Sequence, residues 1–361
     1  MSNPTSPLAA AAHPDPNPYY AEMLAAHPLG WSEAGLWVVA GADRARETLS
    51  CPSLGVRPAS EPVPAPLVGT VAGAVFARLV RMIDGPHHDQ LKHAIAAALD
   101  SLDPTLVETT CREAATQLLP ITPDHLNSYC FAVSAHAIGR LLGIAPEQLT
   151  ETARLMGDFV RCFSPVSTPE QIAAGIAAAL PLTELVTPAL DGPLMRALKR
   201  EFANAGIDSD ADLAANALGF LFQSYEATAG LIGNAICRLT AGTANLEHLL
   251  LDTLEQSSPA QNTRRFAHAA CSIAGHEINV GDPILILLAA ANLDAASPDF
   301  SFGFGPHACP GRSLAMTIAR IGIAELLESG FPLDQLHFTG TYRHSANTRI
   351  PLFATGSGES V

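Results

Sequence analysis

Cys309 stands where a cysteine can do chemistry. It lies in Phe302-Gly303-Phe304-Gly305-Pro306-His307-Ala308-Cys309-Pro310-Gly311. The segment after it, Arg312 to Glu328, carries Leu314, Ile318, Ile321 and Ile323 at roughly helical spacing. The sulfur is therefore expected at a helix N-terminus, where unpaired N–H groups and the dipole favour thiolate over thiol. A thiolate so held is suited to be an axial ligand of haem iron, donating electron density that favours oxygen–oxygen cleavage. The glycines let the backbone fold tightly beneath a flat ring. Phe302 can cover the sulfur, and His307 can reach a propionate. The competing reading is a free buried thiol after an ordinary turn.

The run resembles the haem-binding signature of the cytochrome P450 family, Phe-Gly-x-Gly-x-His-x-Cys-x-Gly, with every defined position present. That resemblance implies haem b (iron protoporphyrin IX) as cofactor and Cys309 as its metal ligand. It extends to the order of elements over nearly the whole chain. The implied fold is mainly α with small β-sheets (α+β), one domain over residues 1–361 around a single haem.

Haem carries two propionates, so a buried site needs matching donors. By resemblance there are four. His88 and Lys92 lie in Asp84-Gly85-Pro86-His87-His88-Asp89-Gln90-Leu91-Lys92, similar to the family's His-x-x-x-Arg helix start. The i, i+4 spacing puts both on one helix face. Lysine here replaces the usual arginine and offers a point charge instead of a fork. Arg265 matches the family's propionate-binding arginine, and His307 is the fourth. For His88 or Lys92 alone, the competing reading is a solvated surface residue.

A long helix expected at about Ala211 to Thr240 contains Gln223-Ser224-Tyr225-Glu226-Ala227-Thr228. It is similar to the family's central Ala-Gly-x-(Asp/Glu)-Thr segment, which crosses above the iron and delivers protons during oxygen activation. Glu226 matches the acid; the competing reading is a structural ion pair. Ala227 occupies the threonine position, and Thr228 follows it, turned about 100° away. Gln223 lies on the face of Ala227. It is expected to fill space above the iron and to take over the missing hydroxyl's hydrogen bond, or else only to narrow the pocket. The substrate pocket is expected from the stretches around Met82, Phe220, Gln223, Ala227 and Asn262. That lining is mostly apolar, as a core would be.

The chain also departs from the family pattern. At the family's Glu-x-x-Arg helix stands Leu251-Asp252-Thr253-Leu254-Glu255, which sets Asp252 at the glutamate and Glu255 at the arginine. Two acids cannot form that pair, and like charges at this spacing repel. The meander before Phe302 is cut to Ala295 to Ser301, consistent with loss of both the clamp and what it clamped. Pro310 brings no N–H to the sulfur.

These residues need elements to hold them. Helices are expected at Tyr19–Ala26, Ala42–Leu49, Gly73–Met82, His87–Leu99, Pro104–Leu119, His125–Leu142, Pro146–Phe163, Pro169–Leu190, Leu246–Gln256 and Ile284–Asn292. Strands are expected near Gly35–Ala40, Thr263–Phe266, Ala270–Ile273, Glu277–Asn279 and in Leu336–Phe353. The 361 residues are 48% hydrophobic, enough for a large core. A net charge of -15 with no basic run argues against nucleic-acid binding. The seven cysteines are dispersed, with no Cys-x-x-Cys pair, which argues against a disulfide framework or a zinc site. No leader, membrane anchor or membrane partner is expected, and a cytoplasmic location is.

The resemblance thus implies a monooxygenase. It would take electrons from a separate ferredoxin and ferredoxin reductase and hydroxylate or epoxidise a small, mostly apolar molecule, in secondary metabolism. Two alternatives stand beside it: a peroxide-driven oxidation, dehydration or rearrangement on the same haem, and an inactive haem-binding paralogue.

Overall fold

The computed structural model describes residues 3–26, 28–239, 245–294 and 300–355. Among them are thirteen α-helices: α1 Asn17–Ala26, α2 Ala42–Ser50, α3 Val71–Phe76, α4 Pro86–Asp100, α5 Pro104–Gln117, α6 Leu126–Leu142, α7 Leu149–Phe159, α8 Pro169–Leu185, α9 Pro193–Asn204, α10 Asp210–Arg238, α11 Leu246–Gln256, α12 Leu288–Asp294 and α13 Arg312–Glu328. Their starts follow local chemistry. Asp103 accepts the Thr105 N–H ahead of α5, with Pro104 in the first turn. Ser209 accepts the Asp212 N–H ahead of α10. Thr168 and Gln171 close a reciprocal capping box on α8.

Nine strands complete the fold: β1 Leu29–Trp31, β2 Trp37–Val39, β3 Leu54–Gly55, β4 Thr263–Ala267, β5 Cys271–Ile273, β6 His276–Ile278, β7 Pro283–Ile286, β8 Leu336–Tyr342 and β9 Pro351–Thr355. The main sheet runs β1-β2-β7-β4-β3, with β2 and β7 parallel and the other neighbours antiparallel. Two hairpins, β5-β6 and β8-β9, stand apart.

α10 is buried along most of its length and packs on α6, α11 and α13, which makes it the axis of the helical core. A second apolar cluster joins the sheet to α2 and Phe300. The 29-residue α10 carries the segment around Glu226, and the start of α13 carries Cys309. No helix among the described residues is long and apolar enough to cross a membrane.

Two expectations are corrected. The run Ile284–Asn292 is a strand followed by a helix. β7 lies between β2 and β4, buried on both faces, so it has the unbroken apolar pattern that a buried helix also has. α8 stops at Leu185, short of Leu190, because Pro188 disfavours the helical region for the residue before it. α9 and β1 were not expected. α9 opens with proline in its first turn and buries Leu194, Met195, Leu198 and Phe202 on one face, a legible helical signal. Of the expected segments, residues 295–299 and Thr240 fall outside the described residues.

Candidate active site at Cys309

Two short 3-10 turns, Phe300–Phe302 and Gly305–His307, lead into the cysteine. Between and within them Gly303 and Gly305 sit at φ +72° and +68°, the left-handed region that a side chain resists. A Cβ on Gly305 would also lie 3.0 Å from the Leu49 carbonyl at the end of α2. The loop closes on itself: Cys309 N–H donates to the Phe302 carbonyl at 2.7 Å, and Ala308 N–H to Gly305 at 3.0 Å. Lys92 on α4 donates through Nζ to the Ala308 carbonyl. The Arg312 guanidinium lies 5.4 Å from the centre of the Phe302 ring. Phe302, expected over the sulfur, is thus at the base of the loop as both hydrogen-bond acceptor and aromatic platform.

Cys309 is exposed by surface area, yet burial pushes its thiol up. Arg81 shows the same contrast: it is exposed by area, while loss of solvent lowers its affinity for the proton. Both facts hold together if the two side chains border a hollow that a water-sized sphere can enter. Surface area measures that access; desolvation measures the protein crowded behind it. The expected preference for thiolate over thiol is opposed here by burial. The Gly311 N–H, Lys92 and Arg81 all favour the anion, but burial outweighs them. Coordination to a cation would supply the remainder, since a coordinating thiol is deprotonated outright.

Cationic and imidazole groups gather beside the sulfur. Arg265 on β4 is 5% exposed, donates to the neighbouring Arg264 carbonyl at 2.8 Å, and burial brings its pKa down to about 10. His88 is 2% exposed and its Nε2 has no partner. Its ring centre lies 4.1 Å from that of His307. His307 meets Asp84 at 3.0 Å, and Asp84 also accepts the Val56 N–H at 2.9 Å. Burial lowers the His307 pKa against the pull of Asp84. Arg81 makes no hydrogen bond or ion pair among the described residues. Against Arg81, Lys92 and Arg265 stands the carboxylate of Asp84. A buried excess of positive charge with an unpartnered imidazole nitrogen calls for an anion. A flat, dianionic group whose metal sits over Cys309 fits that demand.

No protein-family model matches the chain. It is 26% identical over 359 residues to 20-oxo-5-O-mycaminosyltylactone 23-monooxygenase of Streptomyces fradiae, covering 89% of this chain and 84% of that protein. It is 24% identical over 334 residues to mycinamicin VIII C21 methyl hydroxylase of Micromonospora griseorubida, covering 82% and 83%. The haem domain of a P450 from Tepidiphilus thermophilus superposes with a TM-score of 0.78 at 19% identity, over 97% of this chain and 95% of that one. The chain has the fold of the bacterial cytochromes P450 and is similar over most of its length to curated members of that family. Curated relatives of the chain are named as cytochromes P450, monooxygenases or hydroxylases.

Two residues of this cationic bay escaped the sequence reading. Arg81 fell within a stretch read only as pocket wall, and Asp84 was read only as part of a turn. A basic residue three places before the Asp-Gly-Pro turn was the available signal.

Around α10 the expected residues divide. Glu226 pairs with Arg343 at 3.1 Å, and burial raises its pKa against the pull of Arg343 and Arg161. The ion-pair reading therefore applies to it. Gln223 donates Nε2 to the Gly219 carbonyl one turn back at 3.1 Å, so that half of its amide serves its own helix. Thr228 is buried and its hydroxyl has no partner. Ala227, Met82 and Phe220 are half-buried, the last two against the helical core. Phe222 joins Phe163 and, through it, Phe159 and Phe76 in an aromatic cluster. Asn262 is buried and donates to the Ala346 carbonyl at 2.9 Å, tying the start of β4 to the loop before β9 instead of offering a free donor.

The expected repulsion between Asp252 and Glu255 is corrected. α11 buries Leu249, Leu250, Thr253 and Leu254. Asp252 is half-exposed and meets His248 at 3.1 Å, and Glu255 is exposed. Both charges are solvated, where such a conflict is small. A crevice of about 170 Å³ lies elsewhere, lined by Pro14, Asn17, Glu255, Ser258, Gln261 and Arg349 among others. Arg349 donates there to the His13 and Pro14 carbonyls, so the crevice is a seam between chain segments and shares no residue with the cysteine site.

Proposed function

We propose that this P450 takes electrons from a separate ferredoxin and ferredoxin reductase and hydroxylates or epoxidises a small, mostly apolar molecule with O2. The observation that carries the reading is the Cys309 loop set beside a buried, under-compensated cluster of cations. Haem bound there supplies the redox centre at which dioxygen is activated. In this reading the Cys309 sulfur would hold the haem iron, its loop fixed by the Cys309 N–H bond to Phe302 and by Lys92 on Ala308. Arg265, His88 and His307 hold the propionates, and Lys92 adds its charge from behind the loop. Asp84 keeps His307 in place. The names of the two bacterial relatives, a 23-monooxygenase and a C21 methyl hydroxylase, support insertion of oxygen at carbon.

On α10, Glu226 with Arg343 forms a half-buried ion pair from which a carboxylate can take and release a proton. Met82, Phe220 and Ala227 contribute apolar wall, and Gln223 narrows it. A second reading, peroxide-driven chemistry on the same haem, is favoured by one arrangement. Position 227 has no hydroxyl, the Thr228 hydroxyl is fully enclosed, and the Gln223 amide nitrogen is engaged with Gly219. The test is turnover of a compound that shifts the haem spectrum on binding. Product with ferredoxin, reductase, reduced nicotinamide and O2 supports the first reading. Product with hydrogen peroxide alone, and none with the electron-transfer proteins, overturns it in favour of the second.

A further inference from the structure

The last turn of α11, the body of α12 and the turn before the cysteine loop meet in a network of neutral hydrogen bonds. The Leu254 carbonyl accepts Ser301 Oγ at 2.9 Å and Asn292 Nδ2 at 3.4 Å. Asn292 Nδ2 also donates to Ser301 Oγ at 2.7 Å, and Asn292 Oδ1 accepts the Phe300 N–H at 2.9 Å. Asn292 is 2% exposed and Ser301 7%. Both amide hydrogens, the amide oxygen and the hydroxyl are thereby used, which a buried polar group requires.

The network ends one residue from the haem ligand's own support. Phe300 and Ser301 are held by it, and the next residue, Phe302, supplies the carbonyl that takes the Cys309 N–H at 2.7 Å. Gly303 N–H donates to Phe300 at 2.9 Å, so the held turn also fixes the first glycine of the loop. A loop without strand or helix ladders depends on such ties for its shape.

We propose that Asn292 and Ser301 are positioning residues for the cysteine loop, a neutral replacement for the charged clamp that Asp252 and Glu255 do not form. This rests on the reading of Cys309 as haem ligand. Asparagine suits the place because one amide both donates and accepts. A neutral network also avoids the desolvation that a buried ion pair incurs.

The test uses the full-length haem-loaded protein and four variants: Ser301→Ala, Asn292→Ala, Ser301→Thr and Asn127→Ala. Asn127 makes a comparable side-chain clamp, on both the N–H and the carbonyl of Phe353 in β9, away from the loop. Two quantities are read: the rate of haem transfer to apomyoglobin, and the share of the reduced carbonyl complex that keeps thiolate ligation. Loss of a satisfied buried hydrogen bond should speed haem transfer by roughly fivefold or more in Ser301→Ala and Asn292→Ala. It should also raise their thiol-ligated share. Ser301→Thr should restore both, and Asn127→Ala should leave both unchanged even if it melts earlier. Should Asn292→Ala fail to fold, Ser301→Ala, which loses one hydroxyl, decides alone. Variants at positions 292 and 301 that match the wild type, or an Asn127→Ala that shifts the spectrum as much, overturn the proposal. A wild type with no thiolate-type carbonyl spectrum overturns the haem-ligand reading itself; a normal wild type with unchanged variants overturns only the clamp.

Discussion

Glu226 and Arg343 illustrate how much a single side chain depends on its partner. Burial disfavours the Glu226 carboxylate, and Arg343 at 3.1 Å offsets part of that cost. In Arg343→Met the carboxylate keeps its burial and loses its nearest cation. The expected loss is about 1–3 kcal/mol near pH 7, below the value for a wholly buried pair because both side chains keep some solvent. The sign with pH follows. A carboxyl whose folded pKa is raised is destabilising above that pKa and harmless once protonated. The deficit of Arg343→Met should therefore shrink as pH falls toward 4.5, the unfolded value. Urea melts of both proteins across that range check it. Lys92 makes a second case. Lys92→Met removes a charged donor from the Ala308 carbonyl beside the ligand. Haem release should quicken by roughly tenfold, from about 1.5 kcal/mol for such a bond, as read by transfer to apomyoglobin.

At the scale of elements, glycine sets several approaches. A Cβ on Gly192 would lie 2.3 Å from the Leu141 carbonyl and from the Gly143 nitrogen, where the end of α6 meets the start of α9. All of those atoms are backbone and cannot turn aside. Gly192→Ala should cost about 3 kcal/mol or more, seen as a lowered denaturant midpoint, or should abolish folding. This joint could not be read from the sequence, because nothing local says that two distant backbones meet at Gly192. The helices that carry the site were legible. α10, α11 and α13 have helical periodicity, and α10 and α11 also have polar caps, so their bounds came out within a residue or two. β7 was not, since a strand buried on both faces and a buried helix present the same apolar run. Within the cluster, Cys309 and His307 stand in one local motif, while His88 and Arg265 were named only from the resemblance of their own segments to the family. Asp84, Asn292 and Ser301 meet partners in segments elsewhere in the chain, His307 for the first and Leu254 for the other two, and no local pattern marks those contacts.

At the scale of the whole molecule, one buried imidazole gives the fold a pH dependence unrelated to the cofactor. His136 on α6 is 1% exposed, its Nδ1 has no partner, and burial together with Arg140 lowers its pKa to about 4. The unfolded chain binds that proton more tightly, so the stability is full above about pH 6.5 and is lost as pH falls toward 4. The loss from this group should be on the order of 2–3 kcal/mol, and His136→Gln should flatten that part of the profile. In the function proposed here, the whole chain serves one bond, from the Cys309 sulfur to haem iron. The carbon monoxide difference spectrum of the reduced protein reports haem and thiolate together. The account predicts a thiolate-type carbonyl spectrum from the wild type and its loss in Cys309→Ser. Protein that is colourless after growth with ample haem precursor, or a Cys309→Ser variant with the wild-type spectrum, would contradict it.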